Sequence, residues 1–144
     1  MKTSIFVALA LTATLAHAGQ AGPVYTPIRP VGNCLNINQI NDWHIVDDHT
    51  ATVRAGRMHY VVTLQASCPL LGQSPPGLLF RPNPSNLAVG VHRICGEVGE
   101  TVSVNRQPPC AIQSVRIVDK AEFDRLSATA GRSGGSANQP TTGP

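Results

Sequence analysis

The chain has 144 residues, 13% of them charged and 4% aromatic, with a formal net charge of +3. Along the core of the chain Arg54, Arg57, Arg81, Arg93, Arg106 and Arg116 are interleaved with Asp42, Asp47, Asp48, Glu97 and Glu100. Nucleic-acid binding calls for clustered cations and stacking rings, so this mixed surface predicts no nucleic-acid partner. Once the apolar start is set aside, no run is long and apolar enough for a membrane span.

The first residues follow the pattern of an export leader. Lys2 supplies a positive start, an apolar run follows to Leu15, and Ala16-His17-Ala18 is a small-x-small cleavage site. Residues 1–18 are therefore expected to be a signal peptide. No cysteine lies near the cut to carry a lipid anchor, so the mature product is expected to be periplasmic or secreted, without transmembrane segment or lipid anchor. Residues 19–33, with Pro23, Pro27 and Pro30, read as an extended lead-in stiffened by proline.

Leu35 to Ile40 carries a helix-start pattern, with Asn36 as cap and Gln39 three residues on. It predicts a short N-terminal helical turn, because β signals follow at once. Trp43 and Ile45, then Ala51 and Val53, flank the polar Asp47-Asp48-His49-Thr50 and predict a hairpin. Ala55-Gly56-Arg57 makes a second turn. The next strand alternates Met58, Tyr60, Val62 and Leu64 with His59, Val61 and Thr63. Residues 73–84 form a loop broken by proline and glycine, with a short edge strand at Leu78-Leu79-Phe80. Strands are expected at Arg93-Ile94-Cys95, from Thr101, and from Cys110 to Val118. In the last of these the apolar phase shifts from Ile112 to Val115, which predicts a bulge near Gln113-Ser114. Asp119 and Glu122 make a capping box for a C-terminal helix, with Gly131 beyond its end. Residues 34–127 thus read as a single β-rich domain. The fold class is mainly β: a small antiparallel barrel or sandwich of about five or six short strands. Residues 128–144, rich in Gly, Ser, Thr and Pro, are expected to be a disordered tail.

Cys34, Cys68, Cys95 and Cys110 are four thiols in a chain with an export leader, which predicts two disulfides. Their wide, irregular spacing suits neither a zinc site nor a redox pair. Three connectivities are open. The favoured one joins Cys34 to Cys110, with Cys68–Cys95 nested inside.

The order of these motifs resembles a domain-of-unknown-function family of small exported proteins of Gram-negative bacteria. The matching residues are Cys34 and Ile40, then Val46-Asp47-Asp48-His49-Thr50, where the family shows an Asp-Asp-Arg-Thr-like turn. Gly56, Tyr60, Leu64, Cys68-Pro69, Leu71, Ile94-Cys95, Gly99-Glu100, Cys110 and Ile112 continue the set. The resemblance spans 34–118 and implies the architecture but no activity.

Few residues invite chemistry. Asp47, Asp48 and His49, with His44 at the same end of the hairpin, could hold a divalent metal or form an acid–base pair. An Asx-type turn closing the hairpin is the simpler reading. Glu97 and Glu100 read as exposed charges of a glycine turn, and Trp43 and Tyr60 as core. There is no nucleophile elbow or phosphate loop. The sequence therefore predicts no catalytic residues, no cofactor and no enzyme. The expected product is a monomeric binding or structural protein of the cell envelope that meets an unknown envelope or extracellular partner through its loops, chiefly 73–84. The alternatives are an envelope metal-binding protein or hydrolase built on the 47–49 turn, and an inhibitor of a secreted enzyme.

Overall fold

The computed structural model describes residues 31–73, 77–103 and 106–135. The expected signal peptide, most of the lead-in and the last part of the tail lie outside these residues.

Seven strands form one antiparallel sheet that curls into a half-barrel. Its central hairpins are β2 (Ile40–Ile45), β3 (Thr50–Ala55) and β4 (Met58–Leu64). Beyond β4 lie β8 (Cys110–Val118), β7 (Thr101–Ser103) and β5 (Leu79–Arg81), and on the far side β2 pairs with β9 (Arg132–Gly134). A separate ribbon joins β1 (Leu35–Asn36) to β6 (Arg93–Ile94). Two short helices complete the described fold: α1 (Pro84–Ala88) and α2 (Lys120–Ser127).

The alternation in the sequence sets the two faces of the sheet. Trp43, Ile45, Ala51, Val53, Ala55, Tyr60, Val62, Leu64, Ile112 and Val115 point into one buried cluster on the concave side. Leu35, Ile37 and Ile94 join that cluster from the β1–β6 ribbon, and the Tyr60 hydroxyl donates to the Cys34 carbonyl at 3.3 Å. The ribbon therefore closes the mouth of the half-barrel. Val61 and Val118 point the other way and would be exposed if α2 did not cover them. Phe123, 5% exposed, packs on both, and Thr52 Oγ1 and Ser127 Oγ are 2.8 Å apart. Burying a side chain of that size contributes about 1.5–3 kcal/mol to holding α2 in place.

Local signals in the sequence explain most of these elements. Asp119 caps α2 by accepting from Glu122 N at 2.8 Å, and Asn36 caps a single 3-10 turn over Ile37–Gln39 by accepting from Asn38 N at 3.1 Å. Thr63 pairs with Ser114 but Leu64 with Ile112, so Gln113 is the extra residue of the expected bulge. Leu79–Arg81 is an edge strand, as expected.

Three expectations need correction. The disulfides are Cys34–Cys95 and Cys68–Cys110, not the nested pairing Cys34–Cys110 with Cys68–Cys95. Leu35 opposes Ile94 in the ribbon, which sets Cys34 beside Cys95 with Cα atoms 4.5 Å apart. Cys110 opens β8 alongside the end of β4, within reach of Cys68 at a Cα distance of 6.2 Å. Strands are also more numerous than five or six, because β1 and β9 are too short to show alternation. Finally, the stretch expected to be a tail from 128 onward includes β9, whose Gly134 opposes Trp43. Just before β9, Gly131 N donates to the Ile45 carbonyl at 3.0 Å.

Candidate functional site

The 47–49 turn closes the β2–β3 hairpin and is tied by its own groups. His49 N donates to Asp47 Oδ1 at 2.8 Å, the hydrogen bond of an Asx turn. The Asp48 carboxylate accepts from His49 Nδ1 at 2.8 Å and from the Ser67 hydroxyl. These two hydrogen bonds, Ser67 first, hold the Asp48 carboxyl below the usual carboxylate range. The Asp48 carbonyl takes the amide of Cys68 at 2.7 Å, and the His49 carbonyl that of Leu64 at 2.8 Å. The turn therefore anchors the chain that leads from β4 into the Cys68–Cys110 bridge. One ligand atom from each of Asp47, Asp48 and His49 lies within 4.8 Å of the others, all three side chains being exposed.

His44 does not join them. It stands on the convex face, with Nε2 3.3 Å from Asp42 Oδ1 and its ring 5.7 Å from that of Phe123. His59 flanks Phe123 from another side, at 4.7 Å between ring centroids. Both imidazoles thus help to seat α2.

Glu100 departs most from its expected surroundings. It was expected to be an exposed turn charge, yet it is fully buried. Its carboxylate accepts from the backbone amides of Cys95 (2.9 and 3.1 Å), Gly96 (2.7 Å) and Glu97 (2.9 Å). Burial pushes the carboxyl above its ordinary range, and the three amides oppose that shift. The nest depends on Gly96, which sits at φ 84° against the β8 backbone. A Cβ there would come within 2.9 Å of Val115 N. Gly96 and Gly99 flanking a turn that ends on a carboxylate were the only trace of this feature in the sequence. Glu97 is exposed and engaged by Asn83 Nδ2 at 2.7 Å and Asn86 Nδ2 at 3.3 Å. The two glutamates therefore make separate sets of hydrogen bonds.

The segment 79–82 lines a concave surface. A half-open cleft of about 290 Å3 runs between the 3-10 turn, β5 and α1, with His92 at its rim. Ile37 and Phe80, both nearly buried, lie among its apolar residues together with Leu79 and Leu87. Leu87 is 51% exposed, and Val89 at the end of the same helix is 74% exposed. Arg81 also lines the cleft, its Nε donating to Ser103 Oγ at 3.1 Å. No acidic residue lines it. α1 is capped by Asn83, which accepts from Asn86 N at 2.8 Å, with Pro84 following the cap. Sequence reading placed recognition in 73–84 but missed α1, Ile37 and His92, which lie far apart in the chain. A second hollow, of about 420 Å3, lies over residues 65–67 and 107–111 beside the Cys68–Cys110 bridge, and no charged side chain lines it.

Trp43 and Tyr60 are both core, at 5% and 3% exposure. No described helix is long and apolar enough to cross a membrane. No curated protein and no solved structure matches the chain. The chain belongs to a family of unknown function, DUF6491, whose model matches residues 1–134.

Proposed function

We propose that this protein is an exported, non-catalytic binding domain of the cell envelope that receives its partner in the cleft beside β5. The observation that carries this reading is the cleft itself: an apolar hollow whose wall continues onto solvent-exposed Leu87. Leaving that much apolar surface in water has an energetic cost that a bound partner would remove. The leader-like start of the sequence and the two disulfides, which persist in oxidising compartments, support an envelope or extracellular location. The rigid half-barrel behind the cleft suits recognition by a surface formed before the partner arrives.

Affinity capture from periplasmic extract and culture fluid tests this, with the wild-type domain compared with Leu87→Asp. A partner retained by wild type and lost from the folded variant is the expected result. Equal retention by both would remove the cleft from the function.

A second reading rests on the convergence of Asp47, Asp48 and His49: a divalent-metal site on the hairpin turn. Asp47 and Asp48 already accept hydrogen bonds that serve the turn itself, which is why this reading ranks second. Metal analysis of the purified protein decides it. Stoichiometric metal, lost in His49→Ala with the fold intact, would place the function there.

A further inference from the structure

The lining of the cleft specifies more than an apolar partner. Two of its eight residues carry cationic or imidazole groups, Arg81 and His92, and none carries a carboxylate. The Arg81 guanidinium is held through Nε by Ser103 Oγ, and among the described residues no ion pair neutralises it. Glu97, on the neighbouring turn, is bound instead by Asn83 and Asn86. The His92 backbone is tied to the 3-10 turn, its carbonyl accepting from Ile37 N at 3.1 Å. The side chains of Ile37, Leu79 and Leu87 line the same cleft. The volume of about 290 Å3 is at the small end of ligand pockets, which run from about 300 to 1,000 Å3. It suits a small molecule better than an extended polypeptide.

Resting on the reading of this cleft as the binding site, we propose that it takes a small amphiphile: a medium-chain acyl carboxylate, with its chain on Ile37, Leu79 and Leu87 and its head group on Arg81. Charge complementarity argues for the anion, because a guanidinium bound on one side only retains N–H donors for a carboxylate. The apolar lining argues for the chain, because acetate would leave those side chains in water.

Isothermal titration with octanoate, octanol and acetate on the full-length mature protein is the test. Octanoate is expected to bind, octanol about tenfold more weakly for want of one charge-assisted hydrogen bond, and acetate not measurably. Arg81→Gln, an exposed position whose loss leaves the core intact, should weaken octanoate about tenfold and leave octanol unchanged. Leu87→Asp should weaken both. Raising the salt concentration should weaken octanoate alone. Octanoate binding that is indifferent to Arg81→Gln would overturn the proposal, as would octanol binding as tightly as octanoate. A short peptide with a C-terminal leucine that binds more tightly than octanoate would also overturn it, in favour of a polypeptide partner. If octanoate fails to bind while the envelope partner is still lost on Leu87→Asp, this inference fails and the binding role of the cleft stands. If that partner is retained as well, both fail.

Discussion

Gly134 of β9 lies against the indole of Trp43, its register partner on β2, so closely that a Cβ on Gly134 would fall within the ring's van der Waals envelope. Gly72 and Gly77 approach the same ring from the loop after β4, where an added Cβ would meet it at 2.8 and 2.9 Å. Trp43 is thus enclosed by three glycines from two separate segments. Arg132 strengthens the join, its Nη1 donating to the Leu71 carbonyl at 3.1 Å.

Gly134→Ala should therefore force β9 away from Trp43 or tilt a buried ring. Overpacking of this kind costs about 1–3 kcal/mol. Trp43 is the only tryptophan in the chain, so its fluorescence reports the event directly. The variant should show a lower denaturant midpoint and a red-shifted native emission. Gly131→Ala is the control: nothing lies within 4 Å of its added Cβ, and its unfolding free energy should stay within about 0.5 kcal/mol of wild type.

The Glu100 nest makes a second prediction. Glu100→Ala leaves three amides without their acceptor in a buried turn, at a cost of about 2–4 kcal/mol. Glu100→Gln retains one carbonyl oxygen and should fall between the two. Because burial raises the native carboxyl's pKa, the folded state holds its proton to a higher pH than the unfolded state. That contribution to stability is full below the unfolded value and is lost as pH rises through the native one. Wild-type unfolding free energy should carry this descending limb above the ordinary carboxylate range, and Glu100→Gln should lack it. A wild-type profile that rises over that interval in parallel with the variant's would contradict the assignment.

Legibility in the sequence followed element length and sequence distance. β3, β4 and β8 run six to nine residues, long enough for alternation to set both their faces and the bulge at Gln113. β1 and β6 are two residues each. Their pairing depends on Leu35 meeting Ile94 across most of the domain, and the disulfide pattern depends on that pairing, so it could not be read from spacing. The site divides in the same way. The 47–49 turn is contiguous and its Asx chemistry is legible, whereas the cleft gathers Ile37, Arg81, Leu87 and His92 from four places and exists only once the ribbon has closed. Glu100 misled for a related reason: a carboxylate that follows a glycine turn reads as solvated until the amides around it are seen to converge.

Asp48 should shape the acid limb of stability. The Ser67 hydroxyl and His49 imidazole hold its carboxyl below the ordinary value of 3.8. A depressed folded-state pKa contributes stability that is present above the unfolded value and is lost as pH falls through the folded one. The thermal midpoint of wild type should thus drop over that acidic interval. Ser67→Ala should shift the drop toward higher pH, since its hydrogen bond is the largest cause of the shift. Asp48→Asn should remove this part of the drop. An acid limb unchanged in both variants would show that the turn is not coupled to folding.

The pairing of the cysteines gives the most direct test of the fold. Proteolysis under non-reducing conditions should yield one fragment joining Cys34 to Cys95 and another joining Cys68 to Cys110. A Cys34–Cys110 fragment would mean that β1 does not pair with β6. The bridges span 61 and 42 residues, for which chain entropy gives a ceiling of about 4 kcal/mol each. The consequences of removing them differ because they hold different parts. Cys34→Ala with Cys95→Ala frees the ribbon that lies over the concave core, carrying Ile37 and His92 with it, so ligand binding at the cleft should weaken together with stability. Cys68→Ala with Cys110→Ala loosens the end of β4 and the start of β8, away from the cleft, and should lower the denaturant midpoint while leaving binding by the remaining folded protein near wild type. Calorimetry on both double variants, at a temperature where each is still folded, separates a bridge that shapes the site from one that only secures the sheet.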